Sequence, residues 1–381
     1  MELLNESKEG KLLHLEHPED EMISHPHGGF LKAVGHLDTV HSTLSGNTKT
    51  PANISTKYDG SPSVVFGHHP ETGKFFVATK GAFNKHPKLN YTHQDIERNH
   101  LSSGLKQKLH TALKHLPKAV GSDKGVYQGD LMYTHHDLEK DDKHFHFKPN
   151  LIRYSAHKDS EEGKKIAKSK LGIVVHTKYE GKDLSTAKAA PGRLESKHSD
   201  VHTINPGVES NKVHYSPEGR EKYEQHIQKA AHHFSKVGSG TKDVIKNHGE
   251  SLKNYINDSI KNRQTMHAKG FHDFVAKKLM AHTQSLKPQN QDKHIAKSNE
   301  ILQHIHLHHE GLEHIFKAHE HLQHAKQQLI HALDSHHMYQ HTIEGRTTKP
   351  EGYVSEHQGH MIKLVNRHVF SQANLAKERT K

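Results

Sequence analysis

The sequence predicts an α+β protein: an antiparallel-sheet core carrying a large α-helical insertion. Two changes of pattern point to it. From residue 50 to about 180, short apolar runs are bounded by Gly and Pro, as strands are. From Ser216 the apolar spacing becomes helical until about residue 340, after which a strand pattern returns. The expected division is residues 1–215 as the first part of the core, 216–342 as a His-rich helical insertion, and 343–381 as the final strands of the core.

Each element has its own signal. "GGFLKAVGHLDTVHSTL" places apolar residues at 30, 31, 34, 37, 40 and 44, the spacing of a helix. "PSVVFGHHPETGKFFVATKG" reads as two strands joined by a Pro-Glu-Thr-Gly turn. "GVYQGDLMYT", "NLIRYSA" and "LGIVVHTKY" read as three more strands, and residues 182 to 216, rich in Gly, Pro, Ser and Lys, as a long loop. Ser216-Pro217 is a helix start, an N-cap followed by proline at the first helical position. Breaks are expected at "VGSG" (237–240) and "KPQN" (287–290). Beyond them, apolar residues at 302, 305, 312, 315, 322, 329 and 333 form a near-heptad seam on one long helix. "EGYVSEHQGHMIKLVNRHVF" then reads as a hairpin.

Composition narrows the functional classes. The 381 residues carry a formal charge of +11 with histidine neutral, which favours a polyanionic partner such as nucleic acid. Cysteine is absent, which removes disulfides, thiolate metal sites and a cysteine nucleophile. No apolar run reaches the length of a membrane span, and "MELLNESKEGK" is not a signal peptide, so a soluble cytoplasmic protein without a membrane partner is expected.

The chemistry is concentrated in a few charged residues beside apolar strand positions. "KYDG" places Lys57 and Asp59 before a strand, a weak signal taken alone. "FFVATKG" puts Lys80 at a strand end, "VYQGDL" puts Asp130 within a strand, "PEGYV" puts Glu351 at a strand start, and "HMIKLV" puts Lys363 in the last strand. An unpaired charge is costly to bury, so each of these side chains has to face a cleft or solvent.

This ordered set resembles the covalent nucleotidyltransferases, the superfamily of polynucleotide ligases and messenger-RNA capping enzymes. It looks most like phage-type, ATP-dependent RNA ligases, through "KYDGS", the Lys-Gly of "ATKGAF", "EGYV" and "IKLVNRHVFS". The resemblance covers residues 50 to 180 and 343 to 375, and it implies a ligase adenylation core. It also implies that Lys57 is the nucleophile that accepts AMP from ATP. Asp59 would orient nucleotide or metal, and Gly60 would let the backbone turn tightly beside the nucleotide. Lys80 and Lys363 would bind phosphate and favour the neutral amine, with Lys363 neutralising the α-phosphate. Asp130 and Glu351 would hold Mg²⁺ or the ribose hydroxyls. The aromatic under adenine is expected in "NLIRYSA" or "LGIVVHT", with Tyr154 preferred.

The chain also departs from that pattern. The acidic strand residue is Asp130 where glutamate is usual, Val365 stands where a second lysine is common, and Pro62 stands where capping enzymes and many DNA ligases have arginine. Eighteen residues follow Lys363, too few for the OB-fold that follows in those two families. No nicotinamide-recognition domain is apparent in the first 50 residues. The function expected is therefore an RNA ligase that uses ATP and Mg²⁺ in nucleic-acid repair. The alternatives are a DNA ligase or other adenylyltransferase, or a basic nucleic-acid-binding protein in which "KYDG" is a turn.

The helical block raises a separate question. Residues 301–325 contain eight histidines, and His304 and His308 have the i, i+4 spacing that can bind Zn²⁺. The bland alternative is a solvated, weakly basic helix face that grips RNA or joins two copies of the chain.

Overall fold

The structure, a computed structural model, describes residues 15–336, 339–343 and 345–367 and divides the chain into two units. The first comprises Thr56–Gly207 and the described part of 337–351; the second comprises Leu15–Ser55, Val208–His336 and residues 352–367. Sheets rich in antiparallel pairs and many helices make it an α+β protein.

In the first unit, the predicted hairpin Ser63–His68 and Phe75–Ala78 is antiparallel, with Phe66 opposite Val77. Ser63–His68 also pairs with Val126–Thr134, which pairs in turn with Leu171–Glu180. Successive side chains on a strand point to opposite faces, so this sheet has two different surfaces. Val64, Phe66, Tyr127, Leu131 and Ile173 join one apolar cluster, while Val65, Phe76, Ala78 and Tyr179 join another.

The first cluster is completed by Leu109, Ala112, Leu116 and Val120 of a helix, Ser103–Val120, inside the stretch expected to be mostly strand. Ser102 caps it by accepting from Leu105 N–H. The apolar positions 105, 109, 112, 116 and 120 carry the helical period, but the strand signals on either side obscured it. The stretch expected as a long loop also holds structure: Lys188–Pro191 and Val201–Thr203 both pair with Leu171–Glu180, the latter in parallel. A second sheet in this unit runs in the order Arg346–Thr347, Gln340–Ile343, Arg153–His157, His144–Phe147, Glu139–Lys140.

The second unit contains the helix expected at the N-terminal side, Gly29–Leu44, and five longer helices from Pro217 to Leu333. Ser216 caps the first of these, accepting from Gly219 N–H. The expected breaks lie where "VGSG" and "KPQN" stand, since helices end at Phe234 and Ser285 and restart at Ser239 and Pro288. The one long helix expected beyond them is two, Pro288–Leu307 and His309–Leu333, parted at His308 (φ −112°, ψ 22°). The His308 ring at this junction lies 2.2 Å from where a Cβ on Gly240 would stand, an approach that glycine admits. Of the expected seam, Ile305, Leu312, Ile315, Leu322, Leu329 and Leu333 are buried and Leu302 is partly buried.

Gly352–His357 and His360–Leu364 form the expected hairpin, Val354 opposite Lys363, and the strand beginning at Asn53 lies beside it. The units thus cut across the expected division at 215 and 343: residues 15–55 and this hairpin belong with the helical block. The apolar cluster of that unit explains why, because Leu37, Val40, Ile54, Tyr353 and Leu364 share one core with Leu252, Ile315 and Leu329. Residues 368–375, the end of the last stretch of the resemblance, lie outside the described residues. No helix among the described residues is long and apolar enough to cross a membrane.

Candidate active site

Lys57 ends the strand Asn53–Lys57, and Tyr58 after it is buried. The Tyr58 ring meets Tyr154 at 5.7 Å and Tyr339 edge-on at 5.9 Å, which anchors the motif from below. Lys57 is left one third exposed, and its Nζ donates to Glu351 Oε1 at 2.5 Å. The two residues are 294 positions apart.

Asp59 turns the other way. Its Oδ1 accepts from Asn150 Nδ2 at 2.6 Å, and its Oδ2 accepts from the N–H groups of Leu151 at 2.8 Å and Ile152 at 3.3 Å. Those bonds fasten the loop before Arg153–His157 to the motif, a structural duty for the carboxylate expected to orient nucleotide or metal. Asn150 carried no signal in the sequence that would have singled it out.

Tyr154, the residue preferred as the platform under adenine, is 1% exposed. Its ring stacks on Phe147 at 5.3 Å, and its hydroxyl accepts from Asp59 N–H at 2.8 Å. The period of "IRYSA" turns it into the core, where it supports the motif from within and offers no open face for a base.

Gly60 lies against the central strand. A Cβ there would stand 2.6 Å from Asp130 Cβ and 3.0 Å from Met132 Sδ, so a side chain cannot be accommodated without moving the strand. The next residues are stitched to the same strand: Ser61 N–H donates to Leu131 O at 2.9 Å, and Leu131 N–H to Pro62 O at 3.0 Å. Glycine is thus needed for close approach to Asp130. Gly60→Ala is expected to destabilise the first unit by about 1–3 kcal/mol and to displace Asp130. Thermal melting alongside nucleotide labelling checks this, and an alanine variant of unchanged stability would refute it.

Asp130 pairs with Ser63 across the sheet, and its Oδ2 stands 3.5 Å from Nε2 of the half-exposed His176. His176 was not singled out, although it lies in a stretch named for its aromatic. Lys80 is exposed at the start of a short turn two residues past Ala78. Because Ala78 pairs with Val65, the register carries Lys80 toward the level of Ser63 and Asp130.

The electrostatics centre on Glu351. Burial raises its carboxyl above the ordinary range; Lys57 opposes that, while the charges of Asp59 and Asp130 add to it. Two carboxylates and one ammonium are therefore within electrostatic reach of Glu351. Lys363 lies in the second unit, on the strand opposite Val354, where its backbone N–H donates to Glu16 O at 3.1 Å. His304 lies on the helix Pro288–Leu307 and His308 is its C-cap; their rings meet edge-on at 5.2 Å.

Fold and site together define an α+β protein whose first unit presents a lysine amine against a cluster of carboxylates. Residues 12–379, nearly the whole chain, match one family, and the chain belongs to it: a family of unknown function (DUF6267). No curated protein and no solved structure matches the chain.

Proposed function

We propose that the protein is an ATP-dependent RNA ligase that carries AMP on Lys57. One observation carries this reading: Lys57 and Glu351, distant in sequence, meet at 2.5 Å with Asp59 and Asp130 in electrostatic reach. A lysine in an ordinary turn would be solvated, with no reason to meet the residues that the ligase resemblance names.

In the first step the Lys57 Nζ lone pair attacks the α-phosphorus of ATP. A nitrogen–phosphorus bond forms, the bond from the α-phosphorus to the bridging oxygen breaks, and pyrophosphate leaves with that electron pair. The amine reacts only as the free base, and Glu351 Oε1 is the group within hydrogen-bond reach of its proton. The raised Glu351 carboxyl suits it to accept that proton. AMP then passes to a 5′-phosphate on RNA, and a 3′-hydroxyl attacks with AMP departing. Such steps ask the protein mainly for positioning and charge neutralisation.

Asp130 and Glu351 would suit a Mg²⁺ ion, since they offer only oxygen donors and lie within electrostatic reach of one another. When bound, the ion would supply positive charge to the phosphate oxygens. Asp59, engaged by Asn150 and two backbone amides, holds the motif loop in place for this work. A charge of +11 suits a polyanionic substrate.

The test is to incubate the protein with Mg²⁺ and ATP labelled at the α-phosphate, and then with 5′-phosphorylated RNA. Acid-labile, alkali-stable label on the chain followed by joined RNA is expected. Label that moves only to nicked DNA would make it a DNA ligase, and label that no strand accepts would make it another adenylyltransferase. No label from ATP, GTP or NAD would leave a basic binding protein.

A further inference from the structure

In a chain with 45 histidines, an isolated imidazole or a pair on one helix carries no argument. Convergence from separate elements does. In the second unit His226 comes from the helix Pro217–Phe234, while His321 and His324 come from His309–Leu333. The two helices run antiparallel, because His226 meets His321 and His324 while His233, two turns on, meets His314. His226 Nδ1 stands 3.2 Å from His321 Nδ1, and the rings of His226 and His324 are 4.9 Å apart. Among the described residues these three form the one group of histidine and acidic side chains whose donor atoms all lie within 4.8 Å.

We propose that His226, His321 and His324 form a three-imidazole site for a divalent transition metal of the zinc class, held between two antiparallel helices. A tetrahedral zinc bound at about 2.0–2.1 Å keeps its nitrogen ligands about 3.3 Å apart. The His226–His321 separation already has that value, and a side-chain rotation of His324 supplies the third nitrogen. The fourth position would then take water, as in open three-ligand zinc sites. Imidazole donors suit zinc, nickel and copper, whereas the carboxylates of the first unit suit magnesium, so the two sites do not compete for one ion.

The surroundings agree with this assignment. His226 and His321 are half-buried and His324 is exposed, so the site is sheltered on one side and open on the other. A neutral imidazole offers a metal the lone pair of one ring nitrogen. Glu320 acts on His226 and His321 from the same helix as His321, and Lys229 opposes it at His226. Glu320 and His324 also line a cleft of about 700 Å³.

Zinc alone, in competition with a chromophoric chelator, and cobalt(II) followed by visible absorption test this on the full chain. One tight equivalent is expected, with the strong ligand-field absorption of tetrahedral cobalt that added zinc abolishes. His321→Ala and His226→Gln should each weaken it at least about 100-fold, beyond what loss of an outer partner does. His304→Ala and His308→Ala should leave it unchanged. Melting without metal identifies a variant that fails to fold, in which case His324→Gln carries the same expectation. Uptake only as several weak equivalents, or a tight equivalent that survives both His321→Ala and His226→Gln, would overturn the proposal. Labelling at Lys57 is read separately, so failure of one reading leaves the other standing.

Discussion

Lys57→Ala is expected to abolish transfer of label from α-labelled ATP to the chain, a loss on the order of 10⁴-fold or more, because in the proposed mechanism Lys57 carries the phosphoramidate. Lys57→Arg is the sharper variant. It keeps a cation beside Glu351 and hence the ion pair, but a guanidinium cannot become the free base, so the fold survives and the label is lost. Glu351→Gln separates the two duties again. The Glu351 carboxyl is raised, so its contribution to stability is full below the ordinary carboxylate range and is lost as pH rises through the folded value. Removing that ionisation is expected to leave melting near pH 7 unchanged or raised, while labelling falls. In Lys57→Ala the opposing cation is gone, and the deficit in stability should grow with pH above about 4. A Lys57→Arg protein that still labels, or a Glu351→Gln protein that labels at the normal rate, would remove the mechanism.

Glu19→Gln is expected to cost the second unit about 3–5 kcal/mol. Glu19 is fully buried and Lys326 is 3% exposed, and they meet at 2.5 Å. Arg367 stands 3.6 Å from Glu19 and donates to both carboxylate oxygens of Asp20 at 2.9 and 3.1 Å, while His319 bonds to Asp20 at 2.9 Å. Neutralising Glu19 leaves the buried Lys326 ammonium without its directly bonded carboxylate and beside the like charge of Arg367. For a unit of this size the melting temperature should fall by roughly 6–20 °C. The double variant Glu19→Leu with Lys326→Met should recover most of the loss, because a well-packed apolar pair avoids the desolvation of both ions.

Acid should act on the same network. Burial raises the carboxyls of Glu19 and Asp20, but their partners outweigh it: chiefly the Lys326 ammonium at Glu19, and the His319 hydrogen bond and the Arg367 guanidinium at Asp20. Both are held below the ordinary range. Their contribution is therefore present above about pH 4 and is lost as pH falls through the depressed values. Urea melts between pH 6 and pH 3 measure it. A flat profile, or a Glu19→Gln cost below about 1 kcal/mol, would show that the network is not what holds Pro18–Asp20 to the helices.

Much of the site was legible in one dimension because its parts announce themselves locally. Lys57, Asp59, Asp130 and Glu351 are charges set beside apolar strand residues, an arrangement that is expensive without a use. Asn150 and Tyr154 were not legible in the same way. Their duties depend on a loop and a ring reaching Asp59 across more than 90 positions, and nothing in "NLIRYSA" distinguishes a core tyrosine from an exposed one. The helix Ser103–Val120 was hidden by its surroundings, although its own period was regular.

What the sequence by itself determined is the set of local choices: the capped helix starts, the breaks at "VGSG" and "KPQN", the strand alternation, and the identity of the charged motif residues. These depend on backbone preferences and on side-chain periods of two and 3.6, both written within a few residues. Only the tertiary structure decided that Lys57 meets Glu351, that residues 15–55 and the closing hairpin share a core with the helices, and that His226 faces His321 and His324. Those are meetings between distant segments, set by which apolar faces bury one another, and no local period encodes the partner a face will find.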